Sequence, residues 1–256
     1  MMKGTRMLGW ACTAALALAC TGVAYGQEDK TEKPVLYTYV AEWSAPRAQW
    51  GDIEKGDSGE KAAVDKMLAD GTIVAAGQFK TIVHQEGGAT HGSWFQATSM
   101  ANLLKALDAV VATGRANAPV YAASKHWDYI LESRQYNGKV GSYDKAYLRV
   151  STWTAKPGSG DTVERFEKNF MVPLLDKLVA DGSVAWYQID EEAIHTSTPG
   201  MIDLAIVTPD AAGLDAYYAA LEQAEKKDGF AGEAFDQAVD EAGHRDSLAV
   251  VTFVKK

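Results

Sequence analysis

The hydrophobic positions of this chain fall into two successive sets with the same order of periods. VLYTYVAEW (35–43) alternates and is rich in β-branched and aromatic residues, which predicts a strand. Residues 45–71 read as helix in two pieces, broken at Gly56-Asp57-Ser58-Gly59 and stopped by Gly71. TIVAAGQFKTIVH (72–84) and HGSWFQAT (91–98) are strands around the turn QEGGAT. A helix follows, with Leu103, Leu104, Leu107, Val110 and Val111 on one face at 3.6-residue spacing. HWDYILES (126–133) closes the set as a strand. The order is β-α-β-β-α-β.

After RQYNGKVGSYD (134–144), which reads as a linker, the order restarts. KAYLRVSTW (145–153) is a strand. The next helix carries Phe166, Phe170, Leu174, Leu175 and Leu178 in one stripe, and Pro173 either kinks it or starts its second half. Two strands, a helix, an extra short helix and a last strand (246–254) complete the set. Tyr37, Val40 and Trp43 return as Tyr147, Val150 and Trp153. Ala69-Asp70-Gly71 returns as Ala180-Asp181-Gly182, and His84 as His195. His126-Trp127-Asp128 is echoed by His244-Arg245-Asp246. Matches in one order at nearly constant offset indicate two copies of one unit, 35–133 and 145–256.

Each unit has the split β-α-β pattern of a ferredoxin-like fold, with helices on one face of a four-stranded antiparallel sheet. The bare faces of the two sheets must be covered, and each can cover the other. On element order and duplication, the chain resembles a tandem member of the dimeric α/β-barrel superfamily. That superfamily includes stress-responsive A/B-barrel and NIPSNAP-like proteins, antibiotic-biosynthesis monooxygenases, muconolactone isomerase-like enzymes and haem-dependent chlorite dismutase. The resemblance implies an α+β fold in which two fused units close an eight-stranded barrel. It names no subfamily and carries over no catalytic residue.

The start of the chain changes the picture of where the protein works. Lys3 and Arg6, the apolar run MLGWACTAALALACTGVA and the small residues Ala24 and Gly26 form the pattern of a secretory signal peptide over 1–26. Left uncleaved, that run would be an anchor. The polar stretch 27–34, ending in Pro34, reads as a flexible tether. An exported protein, periplasmic or secreted, is expected. Both cysteines, Cys12 and Cys20, lie in the leader, so cysteine catalysis and a disulfide framework are excluded for the mature chain. The formal net charge is −9, two units more negative without Lys3 and Arg6, which argues against nucleic-acid and anionic-membrane partners. Fusion already supplies two units, so a monomer is the simpler expectation.

No catalytic signature stands out, and whether the chain is an enzyme stays open. Alternation puts Tyr37, Tyr39, Ala41 and Trp43 on one face of the first strand, and Tyr147, Arg149, Ser151 and Trp153 on one face of its counterpart. The aliphatic face suits helices, so these residues are expected to line the barrel and to hold a flat, partly aromatic ligand with an anionic group, or simply to fill it. His84, His91 and His126 belong at one end of the first sheet, and His195 and His244 at the matching end of the second. If strand two of one unit pairs with strand four of the other, a rim of imidazoles forms. His84 and His91 are then the best pair for acid–base work or for a metal, with Glu86, Asp128 or Asp246 adding oxygen. Without a His-x-His or His-Glu-x-x-His spacing, no metal is expected, and neither is haem. Asp190-Glu191-Glu192 reads as a solvated edge strand. The leading expectation is small-molecule binding in or at the mouth of the barrel. A cofactor-light monooxygenase or isomerase is the alternative, and a structural protein with a filled barrel is the third reading.

Overall fold

The structure is a computed structural model and describes residues 33–56, 60–83, 87–196 and 199–255. The leader, most of the tether, and His84 with Glu86 lie outside the described residues. The first unit runs β1 (Leu36–Ser44), α1 (Trp50–Gly56), α2 (Lys61–Asp70), β2 (Ala75–Val83), β3 (His91–Ala97), α3 (Met100–Ala112), α4 (Pro119–Ala122) and β4 (Lys125–Gly138). The second runs β5 (Gly141–Ala155), α5 (Gly160–Phe166), α6 (Val172–Asp181), β6 (Trp186–Ile194), β7 (Met201–Thr208), α7 (Ala211–Lys227), α8 (Gly229–Ala238) and β8 (Val239–Lys255).

All eight strands pair antiparallel into one closed barrel, in the order β1-β3-β2-β8-β5-β7-β6-β4. Within a unit the order is that of a ferredoxin-like sheet. Between units, β2 joins β8 and β4 joins β6, so strand two of each unit meets strand four of the other. Closure leaves no edge strand.

The repeated Ala-Asp-Gly has a structural cause. Gly71 (φ 76°) and Gly182 (φ 92°) end α2 and α6 in the left-handed conformation that glycine takes without strain. The aspartate before each accepts a hydrogen bond from a backbone N–H just beyond, Thr72 N at 3.0 Å and Ser183 N at 2.9 Å. Ser99 and Asp210 cap α3 and α7 in the same way in both units, accepting from Asn102 N and Gly213 N.

Several sequence expectations need correction. Residues 134–144 are mostly strand: β4 continues to Gly138 and β5 begins at Gly141. The last strand begins at Val239, well before 246. β6 is interior to the barrel, paired with β4 and β7. Asp190 and Glu192 are therefore buried, and only Glu191 of that acidic run is exposed. Leu104 and Val111 of the α3 stripe are exposed.

Pro173 starts the second half of its helix. A proline has no N–H for the carbonyl four residues back, so the helix changes register ahead of it. Glu167–Met171 form a π-helical turn between α5 and α6.

The barrel interior is largely filled at one end. Trp94 and Trp186 flank Phe253 with ring centroids 5.3 and 6.3 Å from it, and all three are buried. Two further apolar cores lie outside the barrel, each between a sheet and its own helices.

Candidate functional site

The expected aromatic lining of the barrel is on the opposite face. Thr38, Val40 and Glu42 of β1, and Leu148, Val150 and Thr152 of β5, face the lumen. Tyr39 and Trp43 face α2, α3 and α4, and Arg149 and Trp153 face α5, α7 and α8. Tyr37 packs in the core under α2 and α3. The physical reason is space. Trp94, Trp186 and Phe253 already occupy the narrow lumen, while the gap between sheet and helices accepts large rings. What remains of the lumen is about 240 Å³.

The lumen's open half is acidic instead. Burial raises the Asp190 and Glu42 carboxyls to about 7 and that of Asp203 to about 6. Each has partners: Ser133 Oγ and Gln188 Nε2 donate to Asp190, Trp127 Nε1 to Glu42 at 2.6 Å, and Thr152 Oγ1 to Asp203. From sequence alone Asp190 reads as part of a solvated edge, and Glu42 and Asp203 are passed over, because the opposite face of the strands is taken for the lumen.

Among the described residues the imidazoles form no rim. The β4–β6 pairing ends at Ile130↔Ile194, short of His126, which stacks at 5.0 Å on Trp43 of its own unit. His195 is exposed just beyond β6. His91 is buried under α1, edge-on to Trp50 at 5.5 Å, with Nδ1 3.1 Å from Thr90 Oγ1. His244 lies flat on Trp153, 4.9 Å away and 8° from parallel. Tyr147, opposite Thr208 and Val250, joins none of these clusters.

The chemically richest place is a cavity of about 510 Å³ between the second sheet and α5, α7 and α8. Its floor is apolar, built from Phe166, Phe170, Met171, Leu204 and Phe235. Arg149 reaches it from β5. The register places Asp246 of β8 opposite Ser151, and that carboxylate collects three neighbours. Arg149 Nη2 donates to it at 2.9 Å, Ser151 Oγ at 2.6 Å, and His244 Nε2 lies 3.4 Å away. Arg149 Nε donates to Tyr218 Oη at 3.1 Å, and the guanidinium lies 5.5 Å from the ring centre of Tyr217. The remaining nitrogen, Nη1, is buried and has no hydrogen-bond partner among the described residues.

Opposite in charge stands Glu167, the first residue of the π-helical turn. Its Oε1 is also buried without a hydrogen-bond partner among the described residues. Burial, with the charges of Glu191 and Glu164 adding to it, raises this carboxyl to about 7. An acid–base group is most effective when it titrates near the working pH. Sequence reasoning missed Glu167, although a signal was present: it sits inside the apolar stripe Val163, Phe166, Phe170, Met171 at helical spacing. Glu225, Glu233, Asp236 and Glu241 add carboxylates to the cavity wall.

The same arrangement recurs in reduced form in the first unit. There a cavity of about 570 Å³ lies between the first sheet and its helices. Trp43 and His126 stack at its wall, and Tyr39 Oη donates to Asp128 Oδ2 at 2.9 Å where Arg149 pairs with Asp246 in the second unit.

Among the described residues, no cluster of three or more His, Cys, Asp or Glu is built to hold a metal ion. Haem chemistry needs an axial ligand aimed at the iron. His244 is the histidine lining the second cavity, and its Nε2 is turned to Asp246 while its ring lies on Trp153. These residues do not fit a haem.

No family model and no curated protein matches this chain. Solved structures do. A monooxygenase candidate from Lactobacillus acidophilus NCFM superposes with a TM-score of 0.63 at 13% identity, covering 87% of this chain and 97% of that one. A second monooxygenase candidate, from Fusobacterium nucleatum subsp. nucleatum ATCC 25586, gives 0.64 at 9%, covering 87% and 94%. An anthrone oxidase-like protein gives 0.56 at 11%, covering 88% and 94%. At such identities the likeness is one of fold: two ferredoxin-like units fused in one polypeptide and closed into an eight-stranded α+β barrel.

Proposed function

We propose that the second-unit cavity takes a flat, uncharged aromatic molecule carrying an acidic O–H or C–H, removes that proton, and lets dioxygen oxidise the resulting anion. The observation that carries this reading is the pair of buried, unpartnered polar atoms on an otherwise apolar cavity, Glu167 Oε1 and Arg149 Nη1. Leaving buried polar groups unpaired costs about 1–3 kcal/mol each, and more when charged. A ligand that donates to one and accepts from the other removes that cost. A phenol or enolisable aryl ketone does both.

In this reading Glu167, titrating at about 7, is the general base. Arg149, fixed by Asp246 and Tyr218, stabilises the developing oxyanion through Nη1. The electron-rich anion passes an electron to dioxygen, and the two radicals join as a peroxide. Loss of water leaves a ketone. For an anthrone-type CH2 group the balance is one dioxygen consumed, one C=O formed and one water released. Carboxylates at the cavity wall disfavour a substrate that arrives as an anion, so the charge is made inside. Neighbours named as monooxygenase candidates and as anthrone oxidase-like agree with this class of chemistry.

Dioxygen uptake with anthrone in air is the test. We expect uptake with ketone formation, and a fall in kcat/KM of at least about tenfold for Arg149→Met, a loss of roughly 1.4 kcal/mol of transition-state stabilisation. Anthrone bound without uptake would leave small-molecule binding as the function. Neither binding nor uptake of any phenol or aryl ketone would overturn both. The proposal includes export through the 1–26 leader, checked by N-terminal sequencing of the native protein, and a monomeric state, checked by light scattering. Among the described residues no helix is long and apolar enough to cross a membrane.

A further inference from the structure

The first-unit cavity has no part in the chemistry above. At about 570 Å³ it is somewhat larger than its counterpart. Leu68, Phe95, Leu107, Val110 and Val254 make its wall, and the ring of Trp43 stacked with His126 stands at one side, as Trp153 with His244 does in the second unit. The α3 stripe, read from its spacing as a core face, leaves Val111 63% exposed at the wall of this cavity.

What differs is the state of the polar groups. Tyr39 Oη is spent on Asp128 at 2.9 Å. Arg115 is held by Glu60, with its guanidinium 5.0 Å from the Trp43 ring centre and 4.7 Å from that of Tyr121. Glu54 is paired with Lys80, and Lys61 with Asp65, each at 2.6 Å. The position of the second unit's guanidinium is held by Tyr39. A cavity whose charges are already paired offers a ligand apolar contact and ring stacking and takes no proton from it.

We infer that the first-unit cavity is a second binding site, for an uncharged aromatic with no acidic hydrogen, which it holds without reacting. An aryl ketone lacking an enolisable C–H is the chemical class that fits. The inference takes only the aromatic nature of the ligand from the proposed function and stands whether or not the second cavity turns substrate over.

Benzophenone, an uncharged aryl ketone that cross-links on irradiation, is the probe. With the full-length protein, equilibrium dialysis is expected to give two molecules bound per chain. Photo-cross-links are expected in peptides from α2 or α3 as well as from the second unit. Val110→Trp is expected to reduce binding to one molecule and abolish the first-unit cross-links, with second-unit cross-links and any dioxygen uptake unchanged. Leu221→Trp is expected to do the reverse. One molecule per chain with cross-links confined to the second unit would overturn the inference, and this mapping on the unaltered protein decides it even if Val110→Trp fails to fold. Loss of uptake in Glu167→Gln with two probes still bound would leave the inference standing. Absence of uptake in the unaltered protein would count against the proposed function alone.

Discussion

Glu167 sits in the apolar stripe of a helix, and the proposed reaction uses its charge. An aspartate or glutamate on the solvent side of α5 would cost nothing, whereas this carboxyl sits among Phe166, Phe170 and Met171 and titrates at about 7. Part of that elevation comes from Glu191, the one residue of the Asp190-Glu191-Glu192 run that points away from the lumen. Glu191→Gln removes a repelling charge and is expected to move the acidic limb of the kcat/KM profile to lower pH, read from rates between about pH 5 and 9. A profile that stays in place would mean that another group sets the limb. At the other wall, Asp246→Asn keeps the size of the side chain but deprives Arg149 of its charged partner. The guanidinium loses its fixed position, and we expect kcat/KM to fall roughly 10-fold to 100-fold, consistent with about 1.5–3 kcal/mol for a hydrogen bond to a charged group.

The elements explain how those residues come to face one another. β5 and β8 pair Ser151 with Asp246, two residues along β5 from Arg149, and the π-helical turn brings Glu167 to the wall of the same cavity. Pro173 is the sequence cause of that turn, so Pro173→Ala permits an uninterrupted α-helix. The expected outcome is a thermal midpoint equal to or above that of the parent, with kcat/KM reduced because Glu167 is rotated out of its place. A variant with unchanged rates would separate the turn from function. Much at this scale was legible in advance. Strand and helix order and both Ala-Asp-Gly stops follow from periodicity and duplication, and the pairing of strand two with strand four, posed there as a condition, is met. The face assignment of Tyr39, Trp43, Arg149 and Trp153 did not. Alternation says which residues share a face, and it is silent on which side of the sheet that face turns. The bulk of Trp94, Trp186 and Phe253, contributed by three other strands, settles that question. Glu167 was hidden for a related reason: a stripe read for its apolar members passes over the polar one among them.

For the whole molecule, two terms oppose each other inside the barrel. Phe253, fully buried between Trp94 and Trp186, anchors both units at once, and Phe253→Ala is expected to cost about 3–5 kcal/mol by denaturant unfolding. The acids in the other half of the lumen work against stability at neutral pH. Asp190 and Glu42 are held at about 7 and Asp203 at about 6, above the roughly 4 of an unfolded chain. Between about pH 4 and 7 the folded state binds more protons than the unfolded one, so stability falls as pH rises through that window. We expect a thermal midpoint higher at pH 5 than at pH 8 by at least about 2–4 °C, the equivalent of 1 kcal/mol in a chain of this size, and a smaller difference in Asp190→Asn.

The central claim is that a carboxylate in the second-unit cavity does acid–base work near neutral pH. The measurement that addresses it most directly is the pH dependence of kcat/KM for anthrone oxidation in the parent protein and in Glu167→Gln. The account predicts a rate that rises with pH through about 7 in the parent, and in the variant a loss of roughly 10²–10⁴ with that limb absent. A variant that keeps both the rate and the limb would contradict it.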